Sequence, residues 1–152
     1  CYDCRRFRMP ITESEILKTY ASCCQRLGLR HPPKLYRSPT ADSPMLYGYF
    51  SPAILLPAHS DLPCSEAILL HELIHYRRKD LYFKLLLAVI RALHWWNPVI
   101  HLAVSQCERC IELACDDAVL KDQTTNVRIS YGKAMLNTAK WQEEQRRSFR
   151  RR

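Results

Sequence analysis

Two histidines and a glutamate near the middle of the chain are the residues best suited to chemistry. They lie in the segment His71-Glu72-Leu73-Ile74-His75. Side chains four residues apart on a helix project from one face, about 6 Å apart along the axis, so both imidazoles can bind one metal ion. Catalytic Zn²⁺ sites combine three protein ligands with one open position. The spacing therefore predicts zinc ligation by His71 and His75, with Glu72 as general base toward a zinc-bound water.

A third ligand must come from another part of the chain, and a later segment of helical pattern offers acidic residues. Glu112 and Asp116 are four residues apart and share a helix face. One carboxylate can bind zinc while the other orients a liganding histidine through its second ring nitrogen. Glu108 lies one turn earlier on the same face and is the rival ligand. Spacing alone does not decide between Glu108 and Glu112.

Eight cysteines raise the alternative of a structural zinc site. Cys1-x-x-Cys4 and Cys107-x-x-Cys110 have suitable spacing for a four-cysteine site. The two pairs are far apart in sequence, however, and the second lies inside a predicted helix. Neighbouring cysteines on one helix are poorly placed to bridge each other. We therefore expect reduced, mostly buried cysteines in a cytosolic domain.

Charge is concentrated at the two ends of the 152-residue chain, whose formal net charge is +8. Residues 9–145 carry 15 basic and 14 acidic side chains, so the body of the domain has no basic face suited to nucleic acid. The arginines of residues 1–8 and 146–152 fit cytoplasmic flanks of membrane segments outside this chain. Solvated, frayed termini are the alternative.

Residues 81–104 are strongly apolar, but Lys84 and Arg91 interrupt them. The uninterrupted apolar run is far shorter than the roughly 20 residues that a spanning helix needs. We expect a buried or membrane-apposed helix rather than a span. Trp95 and Trp96 are expected at a membrane interface, with plain core packing as the alternative.

Periodicity and turn residues predict an α+β fold that is mostly helical, with a small three-stranded sheet. A domain of this length can bury one core. The predicted helices cover residues 12–27, 61–80 with helical pattern onward to 95, 99–120 and 128–141. The predicted strands cover residues 34–37, 45–49 and 53–56.

In combination, these motifs resemble the BlaR/MecR antirepressor peptidases, a family of membrane gluzincins, over residues 12–137. The matching segments are His71-Glu-Leu-Ile-His75 with Arg78 and Asp80, His94-Trp-Trp-Asn-Pro98, Glu112-Leu-Ala-Cys115-Asp116, and Ser43-Pro44 with Gly48-Tyr-Phe-Ser-Pro52-Ala-Ile-Leu-Leu-Pro57. The resemblance implies that His71, His75 and Glu112 bind zinc, in preference to Glu108. It also implies that Glu72 is the base and that Asp116 supports a ligand.

The resemblance further implies a zinc endopeptidase domain in a membrane-bound regulatory protein, at the cell membrane and facing the cytoplasm. Known members couple an outside β-lactam sensor to cleavage of a repressor. The expected substrate is a protein, either a transcriptional repressor or the chain's own downstream linker, and no direct nucleic-acid contact is expected. An extended substrate segment would pair with the edge of the small sheet. Ser148-Phe149 is a candidate self-cleavage site, with a basic juxtamembrane linker as the alternative.

On this basis, residues 1–11 form a basic juxtamembrane flank, 12–141 the gluzincin-like peptidase domain, and 142–152 a basic tail or linker. Two other functions compete. A non-catalytic, zinc-stabilised signalling module would have no use for Glu72. An HtpX-like or CAAX-type membrane protease is disfavoured by the Cys115-Asp116 and Trp-Asn-Pro elements. For the oxyanion-stabilising residue, Tyr131, His94 and an arginine remain open.

Overall fold

A computed structural model describes residues 8–39, 41, 43–57, 66–121 and 132. Its helices are α1 Ser14–Arg26, α2 Glu66–Arg78, α3 Asp80–Leu93 and α4 Pro98–Leu120. Its strands are β1 Met9–Pro10, β2 Lys34–Ser38, β3 Met45–Tyr47 and β4 Ala53–Pro57. The predicted α+β class is confirmed. The predicted helix 128–141, Tyr131 and Ser148-Phe149 lie outside the described residues.

The sheet has the strand order β1-β2-β4-β3, so β3 lies at an edge. β2 and β4 are parallel, while β1 pairs with β2 and β3 pairs with β4 in antiparallel fashion. All five residues of β4 are buried, which fits a central strand with an unbroken apolar run. The sequence predicted three of these strands and missed β1, whose two residues are too few to show a periodic pattern.

Gly48 shapes the connection between β3 and β4. Its φ of +94° lies in the region that L side chains rarely adopt. A Cβ at this position would lie 2.8 Å from the backbone oxygen of Ser51. Glycine therefore permits the close turn that returns the chain from the edge strand into the centre of the sheet.

Helix α2 lies at the centre of the molecule and contacts α1, α4 and the edge strand β3. Its apolar side chains enter the main core with those of β4 and α4. Four side chains of this core are 0% exposed: Leu69, Leu73, Ile54 and Cys115. This burial on several sides explains why the predicted ligands on α2 are also buried.

Helices α2 and α3 are separated at Lys79, which adopts the left-handed conformation with φ 60° and ψ 33°. The sequence predicted helix through residue 80 without a break, because neither glycine nor proline marks this position. A lysine in this region carries a conformational cost of about 1 kcal/mol or more. The break turns the chain so that Asp80, at the start of α3, is buried.

Helix α4 begins where the sequence predicted a break. The side chain of Asn97 caps it by accepting a hydrogen bond from the backbone N–H of Val99 at 3.0 Å, and Pro98 occupies the first helical position. This 23-residue helix brings Glu108, Glu112 and Asp116 alongside α2 and α3.

Among the described cysteines, Cys23, Cys24 and Cys115 are buried thiols, whereas Cys107 and Cys110 are exposed thiols. The expectation of reduced thiols is met at these five positions, but the expectation of burial is wrong for Cys107 and Cys110. In the described part of the chain, every helix is too short or too polar to cross a membrane.

Candidate metal centre

His71 and His75 face each other from successive turns of α2. Their Nε2 atoms are 3.0 Å apart, and the rings meet edge-on with centroids 4.6 Å apart. Both residues are buried, at 8% and 7% exposure. The two imidazoles thus present a pair of nitrogens to one point in space.

Glu112 on α4 completes a three-sided arrangement with the two histidines. Its Oε2 atom lies 3.6 Å from His71 Nε2 and 3.4 Å from His75 Nε2. Glu108, the rival ligand by spacing, instead pairs with Arg91 at 3.2 Å. Of the two acids, the structure therefore brings Glu112 to the histidines.

The second ring nitrogens of the histidines contact two other carboxylates. His71 Nδ1 lies 3.2 Å from an oxygen of Asp116, and His75 Nδ1 lies 2.8 Å from an oxygen of Asp80. A proton held on each Nδ1 by its carboxylate leaves each Nε2 lone pair directed toward a common point. The sequence assigned a supporting position to Asp116 but none to Asp80, whose approach depends on the turn at Lys79.

Lys84 on α3 is a further residue at this centre that the sequence interpretation did not identify. Its Nζ atom donates a hydrogen bond to Glu112 Oε1 at 2.7 Å. The two oxygens of Glu112 are thus divided between Lys84 and the histidines. A charged hydrogen bond of this kind fixes the orientation of the carboxylate.

Cys115 lies close to the two histidines and is fully buried. Its Sγ atom donates to the backbone oxygen of His71 at 3.4 Å. Ligand atoms of His71, His75 and Cys115 all lie within 4.8 Å of one another, so these three residues form a possible metal-binding cluster within the described residues. Nothing in the residue spacing had identified Cys115 as a ligand.

The acidic surroundings shift the pKa values of the histidines. Burial lowers the pKa of His71, but the neighbouring Cys115 and Glu112 side chains outweigh it and raise the value to about 9. The same opposing effects, together with Asp80, raise the pKa of His75 to about 10. In return, the two neighbouring histidines hold the pKa of Glu112 well below its usual range. The centre therefore favours positive charge.

Glu72 lines one cavity with Leu46 of the edge strand, whose backbone acts to lower the pKa of the Glu72 carboxyl group. Burial raises the pKa of its carboxyl group, and this effect exceeds the opposing effect of the charges on His71 and His75. Glu72 lines a cavity of about 220 Å³ together with both histidines and Glu112. The predicted base and the three converging donor atoms thus share one cavity.

A second cavity of about 440 Å³ adjoins the first, and the two share Leu46, His75 and Leu81. Aromatic and apolar side chains form much of its wall, including Tyr49 and Tyr82, whose rings are 6.4 Å apart. His94, one candidate for oxyanion stabilisation, lines neither cavity and contacts Trp96 with ring centroids 5.8 Å apart.

Comparison with known proteins places this site in a family context. Residues 3–151 match the family described as BlaR1 peptidase M56. The chain is 29% identical over 129 residues to the regulatory protein BlaR1 of Bacillus licheniformis, covering 83% of this chain and 22% of that protein. It is 33% identical over 104 residues to the methicillin resistance mecR1 protein of Staphylococcus aureus, covering 65% of this chain and 18% of that protein. The chain thus spans about a fifth of the length of these relatives. Because the family match extends over nearly all of its residues, the chain belongs to the BlaR1 peptidase M56 family.

Proposed function

We propose that this chain is the zinc-dependent endopeptidase domain of a membrane-bound regulatory protein. The observation that carries the proposal is the convergence of His71 Nε2, His75 Nε2 and Glu112 Oε2 in the cavity that Glu72 lines. Two imidazoles and one carboxylate are the protein donors of one established class of catalytic zinc site.

The spacing of these donor atoms suits zinc. In a tetrahedral site with bonds of about 2.0–2.1 Å, neighbouring ligand atoms are about 3.3–3.4 Å apart. The three distances here are 3.0, 3.4 and 3.6 Å, which bracket that separation. Cys115 is a weaker candidate for third ligand, because both Nε2 atoms face Glu112 and the thiol already donates to the carbonyl of His71. We therefore assign His71, His75 and Glu112 as the zinc ligands.

The proposed mechanism divides the chemistry between the metal and the protein. When bound, zinc supplies Lewis acidity that favours ionisation of water and polarises the scissile carbonyl. Glu72 accepts the proton of the attacking water and passes it to the leaving amine nitrogen. Asp80 and Asp116 hold the imidazoles by their Nδ1 atoms, and Lys84 holds Glu112.

The edge strand β3 offers a binding place for an extended substrate. Because β3 is paired on one side only among the described strands, a peptide can add to its other edge through backbone hydrogen bonds. Leu46 of this strand touches Glu72 and contributes to both cavities. We expect the 440 Å³ cavity to take an apolar or aromatic side chain next to the scissile bond.

The relatives support a regulatory setting for this peptidase. One is named as a regulatory protein and another as a methicillin resistance protein. We propose that the domain faces the cytoplasm at the cell membrane, as part of β-lactam resistance signalling. Its substrate would be a transcriptional repressor or the downstream linker of its own chain, without direct contact to nucleic acid.

Glu72→Gln tests the peptidase assignment. The variant should retain zinc but cleave a quenched-fluorescence peptide library about 10²- to 10⁴-fold more slowly than the parent, because only the proton acceptor is lost. Glu66→Gln is the matched control on the same helix, since Glu66 pairs with Arg26 at the surface. Equal cleavage by parent and Glu72→Gln would show that Glu72 is not the base. A zinc-loaded parent without hydrolytic activity would favour the non-catalytic signalling module.

A further inference from the structure

The outer side of α3 and the turn after it carry a continuous set of large apolar side chains. We call this set the apolar face; it consists of Tyr82, Leu86, Val89 and Leu93 on α3 with Trp95 and Trp96 in the turn. These six residues are between 47% and 73% exposed. Exposed apolar clusters of this kind mark contact sites for membranes or other molecules.

The orientation of α3 is the reverse of that expected for a helix on the surface of a water-soluble domain. Residues 80, 84, 87 and 91 form its inward stripe, which contains one buried leucine and three charged residues. Two of these charged residues pair with α4, Lys84 with Glu112 and Arg91 with Glu108. The α3 residues of the apolar face, at 82, 86, 89 and 93, each follow a residue of the inward stripe by two positions. Two positions are about half a helical turn, so these side chains point away from the inward stripe. The apolar stripe of such a helix ordinarily faces the core.

The charges around the apolar face indicate what covers it. Of the five arginines and lysines in residues 76–107, Arg78, Lys84 and Arg91 pair with acidic side chains of the domain. Arg77 and Lys79 are exposed at the end of α3 that precedes the apolar face. A second copy of the chain would bring further basic groups without acidic partners, whereas anionic lipid head groups complement them.

We propose that the apolar face rests in the interfacial layer of an anionic lipid bilayer, so that α3 lies along the membrane surface without crossing it. Tyr82 and the pair Trp95 and Trp96 lie at opposite ends of the face. Such amphipathic rings are enriched at the level of lipid head groups. The inference rests on α3 and its surroundings and does not require peptidase activity.

Vesicle binding of the 152-residue chain tests this proposal. Trp141→Phe leaves Trp95 and Trp96 as the fluorescent reporters, since the chain has three tryptophans. We expect flotation with vesicles that contain phosphatidylglycerol, and quenching of the remaining tryptophans by brominated lipid. Binding to pure phosphatidylcholine should be weaker, and Lys79→Gln should lower affinity for the anionic vesicles about fivefold.

Substitutions on the apolar face provide the matched comparison. Leu86→Gln and Leu93→Gln should each weaken vesicle binding about tenfold, because each removes one buried leucine from the lipid contact. Leu17→Gln changes a leucine of α1 that is 41% exposed and should leave binding unchanged. Circular dichroism checks that all three variants keep their helices. Equal binding by all three variants, or no binding by the parent, would overturn the proposal. A dimer that Leu86→Gln dissolves, without vesicle binding, would identify a second copy as the occupant instead.

Discussion

The choice of third zinc ligand gives the most discriminating prediction, because the structure offers both Glu112 and Cys115. Glu112→Ala removes the oxygen that lies 3.6 and 3.4 Å from the two Nε2 atoms. Cys115→Ser keeps a buried donor for the carbonyl of His71 while replacing sulfur. The two variants therefore separate direct ligation from packing beside the histidines.

We expect Glu112→Ala and Cys115→Ser to change zinc affinity by clearly different factors. Loss of a residue that only supports a ligand reduces metal affinity by about 10- to 100-fold. Loss of a direct ligand should exceed this range, so we expect Glu112→Ala to weaken zinc binding by more than about 100-fold, or about 2.7 kcal/mol. For Cys115→Ser, which removes no ligand in our assignment, we expect less than about a tenfold change.

Competition with a chromophoric zinc chelator measures both affinities. Glu108→Ala is the control, since Glu108 lies on the same helix but pairs with Arg91. Urea unfolding of the metal-free proteins checks that each variant is folded before zinc is added. If Glu112→Ala bound zinc as tightly as the parent while Cys115→Ser lost it, the metal would be held by the cluster of His71, His75 and Cys115, and our assignment would be wrong.

Two further predictions concern Lys84, which contacts Glu112, and Gly48, in the turn between β3 and β4. Lys84→Met should weaken zinc binding about 10- to 100-fold in the chelator assay, because the carboxylate of Glu112 loses its partner. Arg91→Met breaks the neighbouring ion pair between α3 and α4 and should leave zinc affinity unchanged. Gly48→Ala should lower the free energy of unfolding by about 1–3 kcal/mol in urea titrations. Gly28→Ala should lower it by less, because both glycines have positive φ but a Cβ meets backbone only at Gly48.

The sequence alone predicted that His71 and His75 share one helix face and that Glu112 and Asp116 share another, because both pairs depend on helical periodicity. Residues four apart share a face in any helix, and both helices have strong local signals, such as the cap at Asn97. The choice of Glu112 over Glu108 required more than periodicity. It depends on the axial position of α4 relative to α2, which side-chain packing determines.

The contributions of Asp80 and Lys84 could not be anticipated in the same way. Both depend on the break between α2 and α3 at Lys79, where a lysine adopts a conformation typical of glycine. The sequence around it reads as continuous helix, so Asp80 was predicted at the end of the helix that carries His75. Tertiary packing overrides the local preference for a continuous helix. The break at Lys79 brings Asp80 Oδ2 to 2.8 Å from His75 Nδ1.

Helix α3 links the metal centre to the apolar face. Its inward stripe supplies Asp80 and Lys84, which contact His75 and Glu112, and its outward stripe is proposed to contact lipid. Since a helix with its side chains is about 10–12 Å across, lipid contact would place the zinc site within about that distance of the head groups. A substrate segment held at the membrane surface would then reach β3 at a higher effective concentration than the same segment free in solution. Under the two proposals, the two stripes of one helix would connect the position of the domain on the membrane to the choice of protein that it cleaves.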